Sequence, residues 1–527
     1  MLQARYISIL FTSLAISISL TPINAQAFCG FFAGKADASL FNEASQVILV
    51  RDGKRSVISM LNDFKGPLTD FALVVPVPQV LEKGQVRIGD KRLFDRLDAY
   101  SAPRLAEYFD PDPCPVGMRY PEMQGMDDRA LSSPSASINM VKRKSDKALG
   151  VTVEASYTVG EYDIVMLSAK QSNGLETWLR ENGYKMPKGA AAALKPYVAQ
   201  DMKFFVAKVN LKEQAATGVQ YLRPLQFAFE SEKFMLPIRL GMINADPKKP
   251  QDLIAYVLTK NGRVESANYR TVKLPANENL PPAIKKDFKT FYKAMFDHQA
   301  KEEDHRVVFT EYFWDMGWCD PCAADPLSRE EMHQAGVFWL DGDNLAGNYK
   351  GSGAQNALLT RLHVRYTPKT FPEDLMFVQT SDRQNWQTRY VVQNPFEGTI
   401  QQCREKATAY SCEESCQTTG GGRWQDFSER TNYVGSCIQS CKTSNINAVE
   451  QARRYYEIDL PQRRQTELQT LSRYTGWSME NAQRFIGGAK VSSPDNLPNN
   501  QNKKVPPNSI WWEKLFGNNT SIKDSKP

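Results

Sequence analysis

The chain has 527 residues, 42% of them hydrophobic, 24% charged and 11% aromatic, with a mean hydropathy of -0.47. That length allows about two to four domains, and the apolar fraction supports packed cores, which excludes global disorder. The 65 basic and 59 acidic residues leave a net charge of +6, too diffuse over such a chain to mark a nucleic-acid or membrane-surface footprint. Nine cysteines against four histidines turn attention from His-based metal chemistry to thiol redox state.

Residues 1–27 have the layout of a secretory signal peptide. Arg5 is the charge of a short n-region, Tyr6 to Leu20 is apolar, and Ala25-Gln26-Ala27 supplies small residues for cleavage after Ala27. The apolar run is short for a membrane span, and no later stretch approaches the length of one, so no span is expected after cleavage. Export to the periplasm, or secretion, makes an oxidising compartment the expected setting for every cysteine.

From Ser45 the chain reads as antiparallel β. Gln46–Arg51 and Ser56–Leu61 flank the turn signal Asp52-Gly53, and Phe71–Val75 is a buried strand closed by Pro76-Val77-Pro78. Asp90–Phe109 has helical spacing through Leu93, Phe94, Leu97 and Leu105, interrupted by Pro103. Residues 121–149 read as a polar excursion. Val151–Tyr157 and Tyr162–Ser168 pair around Gly160. Helices are expected at Leu175–Asn182, Ala190–Gln200 and, behind Pro281-Pro282, Ala283–Lys301. Further strands are expected at Phe204–Leu211, Leu225–Phe229, Phe234–Leu240, Leu253–Thr259, Tyr269–Lys273, Val307–Tyr312, Leu359–Tyr366, Leu375–Gln379 and Tyr390–Gln393. No βαβ alternation appears, so the expected class is α+β, mainly antiparallel sheets with interspersed helices. Signal 1–27, a large α+β region 28–398 with a break near 120–150, a Cys-rich helical segment 399–488 and a disordered tail 489–527 complete the expected organisation.

Several stretches, in order, resemble a large family of exported bacterial proteins whose shared domain has no assigned function. They include FCGFFAGKADASLFNEASQVILVRDG (28–53), DFALVVPVP (70–78), RLFDRLDAYSAPRLAEYFDPDPC (92–114) and VGEYDIVMLSA (159–169). GLETWLRENGY (174–184), FMLPIRLGMINA (234–245), WDMGWCDPCAADPLS (314–328) and FPEDLMF (371–377) continue the resemblance over about 28–400. It implies an exported bacterial protein and supplies no activity, substrate or catalytic residue.

Trp318-Cys319-Asp320-Pro321-Cys322 is the sharpest local motif. A C-x-x-C pair at a helix start can carry a low-pKa thiolate that attacks disulfides. Here the next helix is expected only near Arg329, with Ser328 as cap, and Asp320 opposes thiolate formation. Cys319 and Cys322 therefore read as structural, bonded to each other or to Cys29 or Cys114, and a catalytic redox pair is the alternative. Cys412-x3-Cys416 and Cys437-x3-Cys441 place each pair of sulfurs on one helical face. Four cysteines allow three pairings; an antiparallel hairpin favours 412–441 with 416–437, against a four-thiolate zinc site. The odd total leaves one thiol over, and Cys403 is the expected remainder.

Weaker signals have bland readings. His298 and Glu302, with His305 beyond, read as a solvated helix end rather than a metal site. Asp341-Gly342-Asp343-Asn344 reads as a turn, and Asp110-Pro111-Asp112-Pro113 as a rigid corner. Trp511-Trp512 with Leu515-Phe516 on the tail either dock to an envelope partner or a membrane interface, or pack back on their own domain. With no hydrolase, P-loop or dinucleotide template present, no cofactor is expected. The chain reads as a non-catalytic exported scaffold or binding protein, leaning away from an enzyme, with a thiol-disulfide oxidoreductase as the alternative.

Overall fold

A computed structural model describes residues 31–34, 41–65, 71–116, 150–182, 184, 189–217, 222–244, 250–317, 325–342, 356–419 and 427–488. The signal-like segment, Cys29, the 121–149 excursion, Cys319, Cys322 and Trp511, Trp512, Leu515 and Phe516 lie outside the described residues.

In chain order the first elements are β1 (Phe31–Gly34), β2 (Phe41–Asp52), β3 (Arg55–Lys65), β4 (Phe71–Val77) and β5 (Val86–Ile88). Helix α1 (Lys91–Ser101) and β6 (Arg104–Phe109) follow, then β7 (Val151–Val159), β8 (Tyr162–Ala169), α2 (Ser172–Glu181) and α3 (Ala190–Ala199). Next come β9 (Lys203–Val209), α4 (Leu211–Ala216), β10 (Leu225–Glu230), β11 (Met235–Leu236), β12 (Gln251–Thr259) and β13 (Val264–Ser266). Then β14 (Arg270–Lys273), β15 (Asn279–Leu280), α5 (Phe288–Glu302), β16 (Val307–Asp315), α6 (Arg329–Ala335) and β17 (Leu358–Tyr366). The chain continues through β18 (Leu375–Gln379), β19 (Trp386–Gln387) and β20 (Arg389–Asn394). It closes with α7 (Ile400–Ala409), α8 (Cys412–Thr419), α9 (Phe427–Arg454), α10 (Leu460–Thr475) and α11 (Met479–Ile486).

The class is α+β. A five-stranded antiparallel sheet (β1-β4-β9-β8-β7) faces a nine-stranded mixed sheet (β14-β16-β17-β12-β2-β3-β10-β5, with β19 on β16). Two three-stranded sheets, β11-β18-β13 and the all-parallel β15-β20-β6, flank them. Most neighbours are antiparallel; β2 with β12 and β14 with β16 are parallel exceptions.

Period-two alternation builds four layers from these two large sheets. Val47, Leu49, Leu253, Ala255 and Val257 face the five-stranded sheet, where they meet Leu73, Val75, Ile164, Phe205 and Ala207. Their neighbours Ile48, Val50, Ile254, Tyr256 and Leu258 point the other way, under α1 and α6. On the far side, Val74, Leu167, Phe204 and Val206 pack against Leu175 and Leu179 of α2 and Leu194 and Tyr197 of α3. Both faces of each of the two large sheets are thus covered, which is why VILV (47–50), ALVV (72–75) and LIAYVL (253–258) read as continuous apolar runs.

Local chemistry sets the boundaries. Gly53, at φ +57°, allows the tight turn that joins β2 to β3. Helix α1 starts behind Asp90, whose side chain accepts from the Arg92 amide, and ends at Ser101 because Ala102 precedes Pro103 and is extended. Residues beyond Pro103 form β6, so Leu105 belongs to a strand and not to the helical spacing expected through it. The expected strand Phe234–Leu240 pairs only at Met235–Leu236, where Pro237 removes the next backbone donor. Asp287 takes a non-helical conformation and caps α5 through the Thr290 amide, so the expected 283–301 helix begins as a 3-10 turn, Pro282–Asp287.

The helical segment packs on the rest of the chain. Leu471, Tyr474, Trp477 and Phe485 share a core with Phe291 and Met295 of α5 and with Tyr390 and Val392 of β20. Disulfides pair Cys412 with Cys441 and Cys416 with Cys437, joining α8 to α9. A third joins Cys114 to Cys403 across 289 residues of sequence, so Cys403 is not the leftover thiol. Spacing along the chain sets Cys403 apart from Cys412 and carries no trace of a partner 289 residues away. Helix α7 instead lies against the 110–116 corner, and Cys114 and Cys403 form a small core with Val116, Ala448 and Ala452. Among the described residues no helix is long and apolar enough to cross a membrane.

The Cys114–Cys403 bridge closes a very long loop, and removing such a cross-link typically costs about 2–4 kcal/mol. Cys114→Ser/Cys403→Ser should lower the urea unfolding midpoint by a corresponding amount. Peptide mapping of the non-reduced wild-type protein should recover the 114–403 pair.

Candidate functional site

Two features stand out as candidates: a buried ionic cluster and an apolar cavity between the sheets. The cluster begins on β17, whose sequence Arg361-Leu362-His363-Val364-Arg365 alternates basic and apolar residues. Leu362 and Val364 enter the core between the sheets, which turns the three basic side chains to the α1 and α5 side. Strand β12 pairs with β17 so that Asp252 lies opposite Arg365 and Tyr256 opposite Arg361. Glu311 sits at a register shift in β16, between Thr310 and Tyr312. That bulge lets Glu311 and Tyr312 share one face, a re-aiming that a regular strand forbids.

Arg361 is 1% exposed. Its Nε donates to Glu311 Oε2 at 2.5 Å, and its Nη1 donates to Asp98 Oδ1 at 2.6 Å. Tyr256 donates to the same Asp98 oxygen at 3.0 Å, and Tyr292 of α5 donates to Glu311. His363 Nδ1 lies 2.6 Å from Glu311 Oε1, its Nε2 lies 3.5 Å from Asp252, and its ring stacks on Phe296 at 3.9 Å. Arg365 grips Asp252 with two bonds of 2.7 and 2.8 Å and also pairs with Asp297. Burial opposes ionisation of Glu311, yet His363 and Arg361 hold its carboxyl down at about 2. Burial likewise pushes His363 down, but Glu311 and Asp252 prevail and raise it. Asp98 goes the other way: burial raises it against the pull of Arg361.

A second ionic anchor ties down the C-terminal helices. Asp110 accepts two bonds from Arg463 of α10, at 2.9 and 2.7 Å, and further bonds from Tyr455 and Gln393. Asp112 accepts from the Cys114 amide and from Lys406. The 110–113 corner is therefore where the helical segment is bolted on. Beside it Glu467 is 2% exposed, and burial pushes its carboxyl up to about 7.

The cavity lies between the sheets, with the paired β3 and β10 on one side and β4 on the other, and holds about 330 Å³. Ile58, Met60, Val75 and Phe227 are among its buried apolar walls, Met202 and Met235 also line it, and Gln200, Glu230, Glu232 and Lys233 form its polar edge. The ionic cluster takes no part in this lining. The cavity is of the size and character of small-molecule sites, which run from about 300 to 1,000 Å³ and are mostly apolar.

The other residues singled out in the sequence fall apart in space or serve packing. His298 of α5 lies against Gly476; a Cβ there would come 2.5 Å from its ring, and Gly476 also ends α10 at φ +68°. Among the described residues no group of His, Cys, Asp or Glu could hold a metal ion. Asp341 and Gly342 end a 3-10 turn, and the residues after them lie outside the described set. Helix α6 starts at Arg329 behind a Ser328–Glu331 capping box. Neither the ionic cluster nor the cavity was found from sequence; the alternating R-L-H-V-R of β17 and the lone Glu311 in an apolar strand were the available signals for the first.

Removing one member of such a buried pair strands its partner, at about 3–5 kcal/mol. Arg361→Met should therefore lose about that much stability in urea titration. The pH profile has a definite sign. Glu311's contribution is present above its unfolded value of 4.5 and fades as pH falls toward 2. Those of His363 and Glu467 are present below 6.5 and 4.5 respectively and fade as pH rises through their raised folded values. The urea midpoint should peak near pH 4.5 and decline above it as Glu467 and then His363 lose their protons, and Glu467→Gln should flatten the first part of that decline.

Comparison with curated proteins and with solved structures finds no match. Residues 23–378 match the family described as uncharacterized protein conserved in bacteria (DUF2330), two-thirds of the chain, in agreement with the motifs quoted above. The chain belongs to this bacterial family.

Proposed function

We propose that the protein is an exported, non-catalytic binding protein of the cell envelope, with its ligand seat in the cavity between the two large sheets. The observation that carries this reading is the separation of charge from concavity. The strongest cluster of titratable groups is sealed inside the sheet, each charge spent on another, while the cavity presents apolar walls and a polar edge. Buried pairs of this kind hold a fold together and leave nothing for a substrate to touch. The signal-like segment 1–27 and three disulfides support the export part of the reading, since such bridges persist in oxidising compartments. Attachment to an envelope partner through Trp511, Trp512, Leu515 and Phe516 belongs to the same proposal.

The mature, oxidised protein should bind the neutral apolar dye N-phenyl-1-naphthylamine saturably, near one to one. Met235→Trp, which fills the cavity from its partly exposed side, should weaken that binding at least tenfold (about 1.4 kcal/mol) without loss of thermal stability. The same protein should not turn over insulin disulfides. Absence of saturable dye binding, or sustained insulin reduction by Cys319 and Cys322, would overturn the reading.

A further inference from the structure

The charged side chains at the cavity edge are not all spent on one another. Glu232 is taken by Lys54, Glu230 by Arg55 at 3.4 Å, and Asp201, between two lining residues, by Lys203 at 2.7 Å. Lys233 instead donates to the neutral amide oxygen of Gln200, at 2.6 Å across the edge. Arg51, behind the turn that carries Glu232 and Lys233, spends its guanidinium on the carbonyls of Lys54 and Ser231 and on the Ser56 hydroxyl. Arg51 is buried outside the lining, so Lys233 is the cation that stands at the cavity edge with a neutral hydrogen-bond partner, above an apolar floor. A local excess of positive charge over low-dielectric walls attracts an anionic group and repels a cationic one.

The volume sets the apolar part. A cavity of about 330 Å³, at roughly 30 Å³ for each water-sized group, accommodates about ten methylene-sized units. Met60, Met202 and Met235 supply flexible thioether walls that adapt to an unbranched chain.

We propose that this cavity binds an amphipathic organic anion, an apolar chain of about ten carbons bearing a carboxylate head, with the chain inside and the head at Lys233. This names the ligand class for the seat proposed above and rests on that reading. The test is displacement of the neutral dye from the mature protein at pH 8, below the micelle concentration of every competitor. Decanoate should compete at least tenfold better than decan-1-ol and decylamine, with affinity rising from hexanoate to decanoate and levelling beyond. Lys233→Gln, an exposed substitution that leaves the apolar walls intact, should cost decanoate about tenfold more affinity than it costs the dye or decan-1-ol. Equal affinity for decanoate and decan-1-ol, preference for decylamine, or indifference of decanoate to Lys233→Gln would overturn the assignment while leaving dye binding intact. Loss of dye binding itself in the wild-type protein would instead remove the seat.

Discussion

Three basic side chains on one face of a central strand are the constraint around which this molecule is organised. Arg361, His363 and Arg365 cannot be buried without acids, and the acids come from four different elements: Asp98 of α1, Asp252 of β12, Glu311 of β16 and Asp297 of α5. Each pairing fixes a position. Asp98 sets how α1 lies over the nine-stranded sheet, Asp297 does the same for α5, and Glu311 requires the bulge in β16. An apolar strand at this position would pack with less desolvation cost. What the charges add is register, because sliding β17 by one residue would turn the three bases into the core between the sheets.

The rest of the architecture builds outward from that strand. Its other face, Leu362 and Val364, joins the core shared by the two large sheets, and that inter-sheet space opens into the cavity at its β3–β10 end. Helix α5, held by Asp297 and Tyr292, offers its Phe291 and Met295 to α10, α11 and β20. The C-terminal helices are thus fastened by apolar packing on α5, by Arg463 and Tyr455 on Asp110, by Lys406 on Asp112, by Arg473 on Glu278, and by the Cys114–Cys403 bridge. The two hairpin disulfides work locally, within a segment whose own apolar content is low. Charge and concavity are separated in this plan: the ionic cluster lies among β12, β16, β17, α1 and α5, and the apolar cavity lies away from it.

What could be read from sequence follows from the range of each interaction. Continuous apolar runs such as 47–50 and 253–258 announce strands covered on both faces, and the i, i+4 spacing of 412/416 and 437/441 announces facing helices. Pro103 marks the end of α1 just as directly, though the strand that follows it was masked by Leu105 falling at helical spacing. Interactions between distant segments left little trace. Cys114 and Cys403 are 289 residues apart, and no periodicity connects them. Asp98 and Arg361 likewise meet across 263 residues of chain, through a sheet order that brings β17 beside β12 and β16. The cavity has no motif at all, since its walls are ordinary residues of β3, β4 and β10 brought together from two sheets.

Native-state hydrogen exchange, with the cavity empty and with it saturated by the neutral dye, tests most directly whether charge cluster and binding seat are separate. Amides of β12, β16 and β17 around Asp252, Glu311 and Arg361 should exchange only through global unfolding. Adding the dye should slow residues 200–203 and 229–236 first, with any slowing of β17 no greater than the overall gain in stability. Selective protection of β16 and β17 by the dye, with residues 229–236 unchanged, would mean that the buried charges belong to the ligand site and would contradict the account.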